Sequence, residues 1–305
     1  MADVVAALDC GSNSTRLLVA NAQGALRREM RITRLSEGVD ATATLLETAM
    51  QRTFDVLGDY RRLMDETKVE RGLLVATSAV RDARNGEQFL ARAQRIVGVE
   101  ARILDGHEEA TLSYEGATIG LEPDACATLI VDIGGGSSEL AVMVEGVLES
   151  FSMQLGCVRI TERALGSAAV DAAHDTAARS MIEAEIERAF SLQPAFARVV
   201  GNVRLVGLAG TVATLAQLDA GLVTYQRELV HHRVLTRDCV EWWRSTLAAE
   251  SAQERLGHPG MVKGREDVLT AGLYVLEAVM DRFGADELLT SENDILDGIA
   301  QSLLA

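Results

Sequence analysis

TLIVDIGGGSSELAV, residues 128–142, sets an apolar run before Asp132, Gly134, Gly135, Gly136, Ser137, Ser138 and Glu139, then resumes an apolar run. A tight hairpin needs only one or two turn-forming residues. The surplus of glycine, hydroxyl and carboxylate asks for a second explanation. The same device stands earlier in the chain. With VAALDCGSNSTRLLVA (5–20) laid over TLIVDIGGGSSELAVM (128–143), Asp9 falls on Asp132 and Gly11 on Gly134. Ser14 and Thr15 then fall on Ser137 and Ser138. One such hairpin can be an ordinary bulged turn. Two, each opening a stretch of domain size, predict a duplicated α/β domain with a cleft between the copies.

The chain has 305 residues, room for two domains of ordinary size. Its 48% apolar and 24% charged content is that of a soluble globular protein. No apolar run reaches the length of a membrane span. The opening MADVVAALDC lacks a basic n-region and reads as a first strand, not a signal peptide. Cys10, Cys126, Cys157 and Cys239 are scattered, with no CxxC pair. That disfavours a zinc site and a disulfide framework, and fits a reducing cytoplasm. The net charge of −16 divides into −4 over residues 1–122 and −12 over 123–305. Such a chain is a poor nucleic-acid binder, and a polyanionic ligand would need a local basic patch or metal ions. Arg27, Arg28, Arg31, Arg34, Arg81, Arg84, Arg92 and Arg95 are the candidates, with solvated faces as the plain alternative.

Apolar patterning predicts strands at 4–9, 15–21, 71–77, 99–104, 127–133, 138–144, 147–154, 203–208, 229–235 and 286–290. It predicts helices at 46–67, 85–97, 106–119, 156–165, 170–190, 211–220, 236–248, 264–283 and 294–304. The mixed order suggests α/β sheets carrying some antiparallel strands. Pro123 marks the expected boundary, giving domains 1–122 and 123–305, with the last helix, about 294–305, able to pack back on the first.

A glycine-rich turn lets backbone N–H groups approach an anion, and hydroxyls add donors. An aspartate there would repel bare phosphate, so it suits a hard cation such as Mg²⁺ or Mn²⁺, which takes one or two carboxylates plus phosphate and water. Asp132 and Glu139, then Asp9, are the right types. A third glycine turn, Ala209-Gly210-Thr211, follows the strand 203–208 and precedes a helix. It is either an anion site at a helix start or an ordinary connection. Asp105 and Glu108 have the spacing of a capping box. That spends Glu108 and leaves Glu109 for chemistry, or for a first-turn role with the helix dipole. Arg81 is a phosphate ligand or the partner of Asp82 in a turn. His231, His232 and His258 have no ligand-spaced neighbours and read as structural or surface.

In order along the chain stand DCGSNSTRLLVA, ITRLSEGVDAT, LLVATSAVRDARN, LDGHEEATLSYEGA, VDIGGGSSELAV, LGCVRITERAL, GLAGTVATLAQL, HPGMVKGREDVLTAGLYVL and SENDILDGI. This series resembles the exopolyphosphatase and guanosine pentaphosphate phosphohydrolase (Ppx/GppA) family, in its short two-domain form. That family lies within the actin/hexokinase/Hsp70 superfamily of duplicated ribonuclease H-like domains. Ser12 and Ser138 depart from the threonines more usual there, but keep a hydroxyl; His107 replaces a more usual acidic or polar residue. The resemblance implies two ribonuclease H-like (actin-like ATPase) domains and hydrolysis of a phosphoanhydride. It implies Glu109 as the catalytic acid-base group with Arg81 and Arg16 near the substrate. It implies phosphate contacts from Asn13, Ser14, Gly134, Gly135, Gly136, Ser137, Ser138, Gly210 and Thr211, and Mg²⁺ at Asp132, Glu139 and Asp9. It also implies a homodimer acting on inorganic polyphosphate, or on (p)ppGpp, with no nucleic acid or membrane partner. Three other readings stay open: a guanosine pentaphosphate 5′-phosphohydrolase, a phosphotransferase sharing the hairpins, and a non-catalytic sensor. The 4% aromatic content leaves little for a guanine pocket and leans towards polyphosphate.

Overall fold

The structure, a computed structural model, describes residues 3–305. Met1 and Ala2, part of the opening read against a signal peptide, lie outside them. The chain divides into two compact units, one running to Gly116 and taking in Asp294–Ala305, the other Ala117–Asn293. Among the described residues no helix is long and apolar enough to cross a membrane.

The first unit is built on strands β1 (Val5–Cys10), β2 (Ser14–Asn21), β3 (Gly24–Ile32), β4 (Arg71–Ala76) and β5 (Glu100–Ile103). Their order is β3-β2-β1-β4-β5. β1 runs antiparallel to β2 and parallel to β4, and β5 is parallel to β4. Side chains alternate across a strand. Ala6, Leu8 and Cys10 therefore share one face with Leu17 and Val19, against Phe54, Leu57, Tyr60, Phe89 and Ala93 from the helices Glu47–Glu66 and Gly86–Val97. Val5 and Ala7 share the other face with Leu18 and Ala20, covered by Ile295, Leu296, Ile299 and Ala300 of the helix Ile295–Leu304. Each large aliphatic buried there is worth about 1.5–3 kcal/mol. The end of the chain is thus a structural layer of its beginning.

The second unit holds β6 (Ala127–Ile133), β7 (Ser138–Val144), β8 (Val147–Met153), β9 (Val203–Leu208), β10 (Val234–Thr236) and β11 (Glu287–Thr290). Their order is β10-β11-β9-β6-β7-β8. Counted from β8, the series β8-β7-β6-β9-β11 repeats the first sheet's order, and β10 joins its edge antiparallel. An antiparallel triplet continued by parallel strands is the ribonuclease H-like order, and it occurs twice. Leu129, Val131 and Ile133 of β6, with Leu140 and Val142 of β7, face a core built with the helices Ala172–Leu192, Arg237–Ala248 and Leu269–Phe283.

Four local expectations need correction. The boundary falls at 116/117, not at Pro123, because the helix Gly106–Thr118 packs its Gly116 against the backbone of Asp294 within the first unit. Pro123 only interrupts the connection that follows. β3 was not expected. It is an edge strand carrying Arg27, Arg28, Glu29 and Arg31 and largely exposed, so it lacks apolar alternation, as protected edges do. Residues 229–235 are not one strand. A short helix, Arg227–Val230, gives way to β10 after His232 takes a positive φ of 61°. Finally, the helix Ala209–Asp219 begins directly after β9, so Ala209-Gly210-Thr211 is its first turn and not a separate loop.

A Cβ at Gly298 would lie 2.2 Å from the Leu112 carbonyl oxygen, whereas one at Gly58 would meet nothing within 4 Å. Gly298→Ala is expected to destabilise the protein by about 1–3 kcal/mol through overpacking. Gly58→Ala is expected to stabilise it by up to about 1 kcal/mol through helix propensity. Denaturant midpoints of the two variants check both signs.

Candidate active site

The two hairpin tips share one construction. The Gly11 N–H donates to the Ser14 carbonyl at 3.0 Å, and the Gly134 N–H donates to the Ser137 carbonyl at 3.0 Å. Their registers also match. Asp9 stands directly opposite Arg16 across β1–β2, and Asp132 directly opposite Glu139 across β6–β7. Opposed residues of an antiparallel pair project to the same side. The same frame therefore presents an acid–arginine pair in one unit and an acid–acid pair in the other.

In the first unit Arg16 donates from Nε and Nη2 to Asp9 Oδ2, at 3.0 and 2.7 Å. Asp9 is only 3% exposed, and its Oδ1 is buried without a hydrogen-bond partner. Burial raises its carboxyl above the usual range despite Arg16, and nearby Asp294 adds to the rise. The loop after β3 wraps this tip. Thr33 and Arg34 donate their N–H groups to the Asn13 carbonyl, and Ser36 donates to that of Ser12. Both polar atoms of the Asn13 amide and the Ser36 hydroxyl are buried without a hydrogen-bond partner. Each such atom costs about 1–3 kcal/mol until something bonds it. A phosphate chain is the kind of ligand that would. Ser14 contributes its carbonyl to the turn.

The capping box forms as expected. Asp105 Oδ1 accepts the N–H groups of His107 and Glu108, each at 2.9 Å, and Glu108 Oε2 accepts that of Asp105 at 3.1 Å. Those bonds hold the Asp105 carboxyl below its usual range. Glu108 is also paired with Arg102. Glu109 points elsewhere: it is buried, and its Oε2 accepts from Arg81 Nη1 at 3.1 Å. The same nitrogen donates to the Leu104 carbonyl at 2.8 Å, fixing the arginine from a second side. Arg81 ends the short helix Ser78–Arg81, and Ser78 bonds Ser12 of the tip through their hydroxyls at 3.0 Å. The tip and the Glu109–Arg81 pair are thus linked through one helical turn.

In the second unit Asp132 and Glu139 are 8% and 2% exposed. Glu139 Oε1 accepts from Ser152 Oγ on β8. The carbonyls of the turn are taken by the segment LGCVRI. Gly134 accepts from the Cys157 N–H, Gly135 from those of Val158 and Arg159, and Gly136 from Arg159 Nε. A trans peptide sets its N–H opposite its carbonyl. The N–H groups of Gly135, Gly136 and Ser137 therefore point to the other side, an arrangement that suits an anion. Gly156 allows this anchoring, since its Cβ would fall 2.2 Å from the Gly135 oxygen. Ser138 Oγ is buried without a hydrogen-bond partner. Two opposed buried carboxylates are hard oxygen donors and fit a divalent cation that takes its other ligands from phosphate and water. Among the described residues no group of three or more His, Cys, Asp or Glu side chains forms a metal cluster.

At the third turn Ala209 has a φ of 64°, a strained value for a residue with a side chain. Gly210 lies under the guanidinium of Arg265: a Cβ there would come within 1.8 Å of its Cζ. Thr211 is buried against Gly272. Arg265, itself buried, is a cation that sequence reasoning passed over, and only its setting in KGRED marks it there. Several arginines of the expected basic patch are committed elsewhere. Arg27 and Arg31 pair with Glu29, Arg28 with Asp297, and Arg92 lies over the Phe54 ring. His231 accepts the Glu292 N–H, and His258 pairs with Glu250. The four cysteines are free, and burial pushes Cys157 up to about 11 and Cys239 up to about 12, so neither supplies a thiolate nucleophile.

A buried acid held by an arginine, and an acid pair beside an amide-lined turn, stand on twin ribonuclease H-like sheets and suit phosphoryl chemistry. The chain belongs to the Ppx/GppA phosphatase family, whose profile matches residues 18–305. It is 38% identical over 318 aligned residues to "Exopolyphosphatase 2" of Mycobacterium tuberculosis, covering 98% of both chains. It is 29% identical to the "Guanosine-5'-triphosphate,3'-diphosphate pyrophosphatase" of Photobacterium profundum, covering 98% of this chain and 59% of that one. Among solved structures, an exopolyphosphatase-like protein superposes with a TM-score of 0.92 at 31% identity, over 99% of this chain and 98% of the other. The Aquifex aeolicus PPX-GPPA enzyme does so with 0.80 at 30%, over 99% and 100%.

A raised carboxyl pKa makes a stability contribution that is present below the unfolded value, about 3.8, and lost as pH rises through the folded value. Compared with Asp9→Asn, wild type is expected to lose relative stability between pH 4 and pH 7. Thermal melts of both proteins across that range check the sign. A relative gain would mean that Arg16 outweighs burial.

Proposed function

We propose that the protein is an exopolyphosphatase that removes terminal orthophosphate from inorganic polyphosphate in the cytoplasm, with Mg²⁺ or Mn²⁺. The observation that carries the mechanism is the division of labour at HEE. Glu108 closes the cap, while Glu109 is buried and oriented by Arg81. Glu109 then takes a proton from the attacking water. The water oxygen bonds to the terminal phosphorus, and the bridging P–O bond breaks. Orthophosphate leaves, and the chain is shorter by one unit. Arg81 and Arg16 supply positive charge for the phosphoryl oxygens. The N–H groups of Gly135, Gly136 and Ser137, with the hydroxyls of Ser137 and Ser138, suit a further phosphate of the chain. Asp132 and Glu139 would hold the cation, which when bound neutralises charge on phosphoryl oxygens. Asp9, being paired with Arg16, needs the cation less. The identity to the mycobacterial protein supports polyphosphate as the substrate, and scattered free cysteines support a reducing compartment.

Orthophosphate release with Mg²⁺ is the direct test, using short and long polyphosphate, guanosine pentaphosphate and ATP. Release from polyphosphate is expected, with kcat reduced roughly 10²–10⁴-fold in Glu109→Gln. Release from the nucleotide alone would move the assignment to a guanosine pentaphosphate 5′-phosphohydrolase. Tight binding without release from any substrate would make the protein a sensor.

Cation binding can be followed without turnover, through the loss of free Mn²⁺ signal in electron paramagnetic resonance. Asp132→Asn and Glu139→Gln are expected to weaken Mn²⁺ binding at least about tenfold, and Asp9→Asn to leave it within about twofold. Equal losses in all three variants would return Asp9 to the ligand set.

A further inference from the structure

Arg16 is gripped from two directions. Asp9 holds Nε and Nη2 through a single oxygen. Nη1 donates to Oδ2 of Asp294, a residue 278 positions away in the chain. The strand pattern explains the meeting. Asp9 and Arg16 project from the face of β1 and β2 that carries Val5, Ala7, Leu18 and Ala20, and the last helix covers that face. Asp294 is the N-cap of that helix.

The two oxygens of Asp294 do different work. Oδ1 accepts the Leu296 N–H at 2.9 Å, which is the capping bond. Asp297 Oδ2 accepts the Asp294 N–H at 2.8 Å and completes the capping box. The capping bond from Leu296 falls on Oδ1, and Oδ2 is turned to the arginine. From β3, Arg28 pairs with Asp297 at 2.6 Å and lies 3.7 Å from Asp294. The carboxylate that meets Arg16 is thus itself tethered by a helix backbone and a second arginine.

A guanidinium bonded to one oxygen can still swing about that contact. A second carboxylate at Nη1 fixes its plane and its depth. The same carboxylate adds negative charge beside a group that must attract a polyanion. Its two effects oppose each other, one on orientation and one on ground-state attraction.

We propose that Asp294 is a positioning residue for phosphoanhydride cleavage, holding the guanidinium of Arg16 in the orientation that serves the transition state at some expense of substrate affinity. The proposal rests on the reading of Arg16 as a phosphate ligand.

Asp294→Asn separates the roles, because asparagine is as good an N-cap as aspartate but brings no charge to Arg16. In steady-state hydrolysis of polyphosphate, kcat is expected to fall roughly 10- to 100-fold while KM stays level or drops. In an Arg16→Ala background the same change is expected to alter kcat by less than about twofold, since coupled residues are not additive. A kcat within about twofold of wild type, a rise in KM alone, or an equal fall in the Arg16→Ala background would each overturn the proposal. A second readout does not depend on turnover. The Arg16 Nε–H resonance of the ¹⁵N-labelled protein is expected to shift and exchange faster in Asp294→Asn. An unchanged resonance would overturn the holding role even if the wild type proved inactive on every phosphoanhydride. Such inactivity with a changed resonance would instead refute the proposed function and, with it, the catalytic purpose of the contact.

Discussion

Burying a carboxylate at a strand tip is unfavourable unless a cation meets it. Both hairpins of this protein do so at the same register position. In the first copy the chain supplies the cation itself, since Arg16 stands where the second copy has Glu139. In the second copy the opposed residue is a second acid, so that tip carries two carboxyl groups where the first carries one and its arginine. The duplication conserved a frame while the opposed residue changed sign.

The tips are held by elements rather than by their own turns. The glycine carbonyls of the second tip are bound by the N–H groups of LGCVRI, which turns the following amides the other way. The first tip is wrapped by the loop after β3 and joined through Ser12 and Ser78 to the helix that ends at Arg81. Sites supported in this way keep their geometry better than sites on unsupported loops. The buried polar atoms of Asp9, Asn13, Ser36 and Ser138 that have no hydrogen-bond partner gather at these same tips. The fold carries a desolvation cost where an anion and its counter-ion would relieve it.

Glu109 illustrates how a local rule can free a residue for chemistry. Its neighbour Glu108 satisfies the helix start and pairs with Arg102. Glu109 is left to project from another side of the helix, into burial beside Arg81. Two adjacent glutamates thus acquire unrelated environments through the angular step of a helix.

What the sequence determined by itself was whatever depends on near neighbours. The apolar runs of β1, β6 and β9, the capping box at Asp105, the glycine turns and the repeat that aligns Asp9 with Asp132 all lie within a few residues of their causes. β3 escaped because an edge strand protected by charge has no apolar alternation to read. LVHHRVL misled because branched residues beside a histidine pair resemble a strand until one histidine takes a left-handed turn. Only the tertiary structure decided the pairing of Arg16 with Asp294 and the seating of Arg265 on Gly210. Those contacts join residues tens to hundreds of positions apart. They arise from sheet order and the packing of faces, which no local pattern encodes.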